Sequence, residues 1–136
     1  MKININKLQK YFSTRQDIAF AFLFGSQANG QTHKLSDVDI AVYFYPKEPR
    51  WLEFEEEVDY DAEDEIWTDL ERILKKEVEL LVLNRAPAIV AASAIRGIPL
   101  TVNDRLLYLR FMELITHVAE DFREFILKDY IERNVA

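Results

Sequence analysis

Seven apolar residues stand without a break from Ile18 to Phe24 (IAFAFLF), and the run stops at Gly25-Ser26. It is of strand length, and the rest of the chain must cover it. Strand-like and helix-like patterns alternate around it. Asn4 to Ser13 spaces Ile5, Leu8 and Phe12 by three and four, as a short helix does. Ser26 suits a helix N-cap, with a brief helix over Gln27 to Gln31 closed by Gly30. Asp37 to Tyr45 (DVDIAVYFY) alternates as a second strand ended by Pro46. Val38, Ile40, Val42 and Phe44 share one face; Asp37, Asp39, Ala41, Tyr43 and Tyr45 share the other.

Leu52 to Lys76 reads as helix in one or two pieces, with Phe54, Val58, Ala62, Ile66, Leu70, Ile73 and Leu74 as its apolar stripe. Glu77 to Leu83 (EVELLVL) is a third strand, placing Val78, Leu80 and Val82 opposite Glu79, Leu81 and Leu83. Pro87 to Arg96 is a helix with Pro87 in its first turn and Gly97 as its C-terminal cap. Ile98 to Val102 is a short fourth strand, and Pro99 marks it as a sheet edge. Asn103 or Asp104 caps a long last helix to about Glu132. Leu106, Leu109, Met112, Leu114, Ile115, Val118, Phe122, Phe125 and Ile126 are expected to form its apolar side. The expectation is one domain over residues 1–136, mixed α/β (α+β), with a central sheet of about four strands covered by helices.

Composition narrows the function classes. The chain has 17 basic and 24 acidic residues, a net charge of −7. Affinity for a phosphate backbone comes from Lys and Arg releasing counterions, so direct nucleic-acid binding is not expected. The acids concentrate between Glu48 and Glu79, with fourteen acids against four bases. Their simplest reading is the solvated face of the helix there; docking of a basic partner is the alternative. With no cysteine, a disulfide scaffold, a thiolate metal site and a cysteine nucleophile are excluded. Neither a signal-like run in Met1 to Lys10 nor a membrane-length apolar stretch is present, so a cytoplasmic protein without membrane contact is expected.

The chemistry concentrates between Phe24 and Phe44 (FGSQANGQTHKLSDVDIAVYF). Asp37 and Asp39, two apart on a strand, share a face and lie about 6.5–7 Å apart. Arms converging from there can hold one hard cation, or bridge two about 3.5–4 Å apart. Magnesium suits such oxygen donors, taking one or two carboxylates plus substrate phosphates. Alone, the pair is more simply read as Asp37 capping a turn and Asp39 pairing with a Lys or Arg. Gly25-Ser26 closes a strand and opens a helical turn, where backbone N–H groups and a hydroxyl face an anion. An ordinary strand-to-helix turn has the same residues. Glu79 lies on the matching face of the third strand, where an acid among apolar residues needs a partner.

Together, G-S, ten residues, D-x-D and an acid on the third strand resemble the nucleotidyltransferase superfamily that includes DNA polymerase β. The small size is similar to its minimal, MNT-type branch, whose members are antitoxins of HEPN/MNT toxin–antitoxin pairs. The resemblance spans about Ile18 to Val102 and includes Asn84 to Pro87 and the Ala-rich helix before Gly97. It implies that Gly25 and Ser26 bind nucleotide phosphate. It also implies that Asp37, Asp39 and Glu79 are catalytic and bind two Mg²⁺ ions, Glu79 standing where the branch more often has Asp. ATP is the implied substrate and a HEPN-type ribonuclease toxin the implied partner, silenced by AMP transfer to a tyrosine. Two other readings remain open: an antitoxin that acts by stoichiometric binding without catalysis, and a transferase for a small hydroxylated molecule such as an antibiotic.

Overall fold

The computed structural model describes residues 3–25, 28, 37–48 and 52–134. Among the described residues, four helices and four strands follow one another: α1 (Ile5–Ser13), β1 (Ile18–Phe24), β2 (Val38–Phe44), α2 (Glu63–Leu74), β3 (Val78–Val82), α3 (Ala88–Ala94), β4 (Ile98–Val102) and α4 (Arg105–Asn134). The strands form one mixed sheet in the order β3-β2-β1-β4. β1 runs antiparallel to both β2 and β4, whereas β2 and β3 are parallel. Pro99 lies on an edge strand, as expected. The brief helix expected at 27–31 falls, Ala28 apart, outside the described residues.

The apolar run of β1 is buried on both sides. Ile18, Ala21 and Leu23 join a core with Leu8 and Phe12 of α1, Ile66 and Leu70 of α2, and Val38, Ile40, Val42 and Phe44 of β2. Ala19, Phe20 and Phe22 join a second core with Ala41, Tyr43, Ala91 and Ala94 of α3, and Phe111 and Ile115 of α4. Consecutive residues Ala19 and Phe20 fall on one side because the register with β2 shifts between Ile18 and Phe20, as at a β-bulge. The two faces expected for β2 and for β3 are those observed. Tyr43 packs rather than lining a site, stacked on Phe20 with centroids 4.8 Å apart.

Local polar chemistry ends the elements. The Asn4 side chain accepts from the Lys7 N–H at 3.2 Å and caps α1. Asp104 caps α4 by accepting from the Leu107 N–H at 3.0 Å. Asn84 is fully buried beyond β3. Its Oδ1 accepts the Phe44 N–H and its Nδ2 donates to the Phe44 carbonyl, both at 2.9 Å, so a side chain continues the ladder where β3 stops.

Three expectations are corrected. Residues 52–62 are not helical, and helix begins only at Glu63. A helix there would stack Glu53 on Glu57, Glu55 on Asp59, and Glu57 on Asp61, like charges four residues apart that weaken a helix. Instead Glu55 takes a left-handed conformation (φ 56°). The Tyr43 hydroxyl donates to the Glu53 carbonyl at 2.7 Å and accepts its N–H at 2.9 Å. The Glu63 carboxylate, accepting from the Tyr60 N–H at 2.9 Å, starts α2. Second, Gly97 is not the residue that caps α3; that role falls to Ile95. A Cβ on Gly97 would stand 2.2 Å from the Leu23 carbonyl oxygen, so glycine there lets the turn press against β1. Third, the buried side of α4 is Phe111 and Ile115, flanked by Leu107, Tyr108, Met112 and Ala119. Leu106, Leu109, Phe122, Phe125 and Ile126 are exposed. α4 carries apolar residues on several sides, so periodicity alone does not select its inner face.

Candidate functional site

The sheet brings the acids of the motif to one end. β1 finishes there, while the parallel strands β2 and β3 both start there. Phe24 of β1 pairs with Asp39, and on the other side Asp39 pairs with Glu79 of β3. Parallel pairing at equal register puts the Asp39 and Glu79 side chains on the same face, close enough for the Glu79 carboxyl to act on that of Asp39. Asp37 precedes β2 and is exposed, but its charge still acts on Asp39. Gly25 follows β1 in a left-handed conformation (φ 75°). A Cβ on it would lie 2.2 Å from Asp39 Oδ2. The turn that follows begins with the Ala28 N–H donating to the Gly25 carbonyl at 3.2 Å. Ser26 lies outside the described residues.

The electrostatics are those of crowded carboxylates. Desolvation first, then the neighbouring Glu79 carboxyl and the charge of Asp37, push the Asp39 carboxyl up to about 6. Among the described residues no Lys or Arg forms an ion pair with Asp37, Asp39 or Glu79. Nor is any group of three His, Asp or Glu side chains among them already gathered around one cation position. The donor set nevertheless fits a hard divalent cation: oxygen ligands only, with Asp39 and Glu79 paired on neighbouring strands.

Other charged residues of the acidic stretch are taken up elsewhere. Glu63 binds Arg85 at 2.5 Å. Glu65 binds Arg15 at 2.9 Å, and Asp69 accepts from the Tyr11 hydroxyl at 2.7 Å. Three acids of α2 thus staple the helix to its surroundings rather than forming only a solvated face. Sequence patterns did not single out Trp67 and Glu71 of α2, which bond to Val78, the residue before Glu79. Bonds between a side chain and the backbone of a separate strand leave no periodic signal.

A glycine turn pressed against a strand-borne carboxylate, with a second carboxylate one strand away, is an arrangement able to hold a hard cation beside a phosphate. The polymerase β nucleotidyltransferase family model matches residues 6–106, and the chain belongs to that family. No curated protein matches the sequence. Among solved structures, a chain of a toxin–antitoxin complex with AMP-PNP is 24% identical with a TM-score of 0.63, over 95% of this chain and 99% of that one. A chain of the MntA–HepT toxin–antitoxin complex is 22% identical with a TM-score of 0.55, over 94% and 97%. A complex of tri-AMPylated HEPN toxin with MNT antitoxin from Shewanella oneidensis contains a chain 22% identical, with a TM-score of 0.56 over 94% and 96%. These likenesses show the fold: a mixed four-stranded nucleotidyltransferase sheet with a long C-terminal helix. No helix among the described residues is long and apolar enough to cross a membrane.

Proposed function

We propose that this chain is an antitoxin that transfers AMP from ATP to a tyrosine of a HEPN-type ribonuclease toxin and thereby silences it. The reading rests on one observation above all: in a nucleotidyltransferase-family chain, Asp39 is flanked by Gly25 and paired in register with Glu79. The likeness to chains of toxin–antitoxin complexes, one with AMP-PNP and one with an AMPylated toxin, supports the substrate and the partner. The chain acts as one catalytic domain, with the acceptor supplied by the partner.

Asp37, Asp39 and Glu79 would hold two Mg²⁺ ions, which when bound would supply charge neutralisation of the triphosphate and a lower pKa for the attacking hydroxyl. The backbone at Gly25 and the hydroxyl of Ser26 grip the phosphates and orient them for in-line displacement. The tyrosine oxygen attacks the α-phosphorus; its bond to the β-phosphate bridging oxygen breaks, and pyrophosphate leaves. The tyrosine proton passes to a carboxylate of the acid cluster. No side-chain nucleophile is needed, as expected of a chain without cysteine.

The test mixes the purified chain with a cognate HEPN partner and α-labelled ATP, with and without Mg²⁺, and with an Asp37→Ala/Asp39→Ala control. Label on a partner tyrosine that needs Mg²⁺ and vanishes in the control is the expected result. A tight, unlabelled complex that still blocks the nuclease would overturn catalysis and leave silencing by binding. Label on a small alcohol without partner would overturn the antitoxin reading.

A further inference from the structure

Among the described residues β3 is an edge strand, with β2 on one side only. In a parallel pair alternate residues turn their peptide groups to the neighbour, and those between turn them outward. The Glu77 carbonyl accepts from the Val38 N–H at 3.0 Å, so Glu77 and Glu79 face β2 and Val78 faces out. An outward peptide at an edge would otherwise be left to water or to another chain. Here α2 takes both of its groups. Trp67 Nε1 donates to the Val78 carbonyl at 2.6 Å. Glu71 Oε2 accepts the Val78 N–H at 3.1 Å. Trp67 and Glu71 lie four residues apart, hence on one side of α2, and bracket a single peptide position. Trp67 also lines a cleft of about 330 Å³ together with Glu79.

Val78 is the first residue of β3 and Glu79 the second. Strand ends open at low free-energy cost, and an edge strand has half the bonds of a central one to resist it. Opening at Val78 would carry the Glu79 carboxylate away from Asp39. We propose that Trp67 and Glu71 are positioning residues: they latch the start of β3 so that Glu79 is held in register with Asp39 for cation binding. This rests on the reading of Asp39 and Glu79 as cation ligands. Neither latch residue touches the substrate or the reacting atoms.

The test measures Mn²⁺ binding to the full chain by electron paramagnetic resonance, without nucleotide or partner. It compares wild type with Trp67→Phe, which keeps an aromatic ring but loses the N–H donor. Glu71→Leu loses the acceptor, and Glu71→Gln keeps an acceptor oxygen. Arg72→Ala, an exposed change on the same helix, is the control. Removing a group that orients a ligand typically weakens metal binding about 10- to 100-fold. Trp67→Phe and Glu71→Leu are expected to weaken Mn²⁺ by about tenfold or more, with Glu71→Gln restoring most of the affinity. Backbone amide exchange at Val78 should accelerate in the same two variants. In the transfer assay they should lower kcat and leave the KM for ATP near wild type. Unchanged Mn²⁺ affinity in both variants overturns the latch while leaving the cation site intact. If Trp67→Phe fails to fold, the contrast between Glu71→Leu and Glu71→Gln decides alone. Wild type that binds no Mn²⁺ overturns the cation reading, and the latch with it.

Discussion

Gly25 answers to two constraints at once, its left-handed backbone and the 2.2 Å gap a Cβ would leave to Asp39 Oδ2. Gly25→Ala should cost on the order of 1–2 kcal/mol from the backbone conformation alone, read as a lower urea midpoint in chelator. It should also displace the Asp39 carboxyl, so Mn²⁺ affinity falls by more than the stability loss explains. The Asp39 carboxyl makes a prediction of its own. Folding raises its pKa from 3.8 to about 6, so the folded chain binds the proton more tightly than the unfolded one. The stability this contributes is full below about pH 4 and is lost as pH rises through about 6. In chelator, Asp39→Asn should therefore stabilise the protein near neutral pH, an advantage that shrinks steadily toward pH 4. Added Mg²⁺ should stabilise the wild type and not the variant. Urea melts across the pH range, with and without Mg²⁺, check both statements.

At the level of elements, the polar chemistry holding ends together matters as much as the apolar faces. Asn84→Ala should leave the Phe44 N–H and carbonyl unpaired in the interior, at about 2–4 kcal/mol for the two groups. Equilibrium urea unfolding measures that loss directly. The contrast with the strands explains what was legible beforehand. β1 and β2 announce themselves because Ile18–Phe24 is all apolar and Val38–Phe44 alternates, patterns that local burial imposes. Gly25, Asp37 and Asp39 could be named for the same reason: they sit within one short stretch at the ends of those strands. Alternation alone gives the face of Glu79, but its pairing with Asp39 depends on parallel register across a crossover, which no local spacing encodes. The irregular course of residues 52–62 was hidden because Phe54, Val58 and Ala62 recur at helical spacing. What overrides that spacing is the Tyr43 hydroxyl meeting the Glu53 backbone and the left-handed turn at Glu55. Those are tertiary and conformational facts with no sequence period.

On the scale of the whole molecule, α4 separates a packed part from a projecting one. Its 30 residues make a rod of roughly 45 Å, yet its only fully buried side chains are Phe111 and Ile115. Phe111 lies against Phe20 and Tyr43, with centroids 5.5 and 4.9 Å away, and closes the sheet face that carries the acid pair. Phe122, Phe125, Ile126, Leu127, Tyr130 and Ile131 extend beyond it and stay about half exposed or more. Two aromatic truncations on one helix should then behave as if they came from different proteins. Phe111→Ala opens a cavity in the second core and should cost about 3–5 kcal/mol. Phe125→Ala, with 66% of its surface exposed, removes little packing and should fall within about 0.5 kcal/mol of wild type. The comparison is made on the chain alone in dilute solution, by urea unfolding followed through far-UV circular dichroism. Equal losses would mean that the distal half of α4 folds back on the body. A large loss at Phe111 alone would establish that the fold's stability resides in the sheet and its four covering helices up to about Ala119.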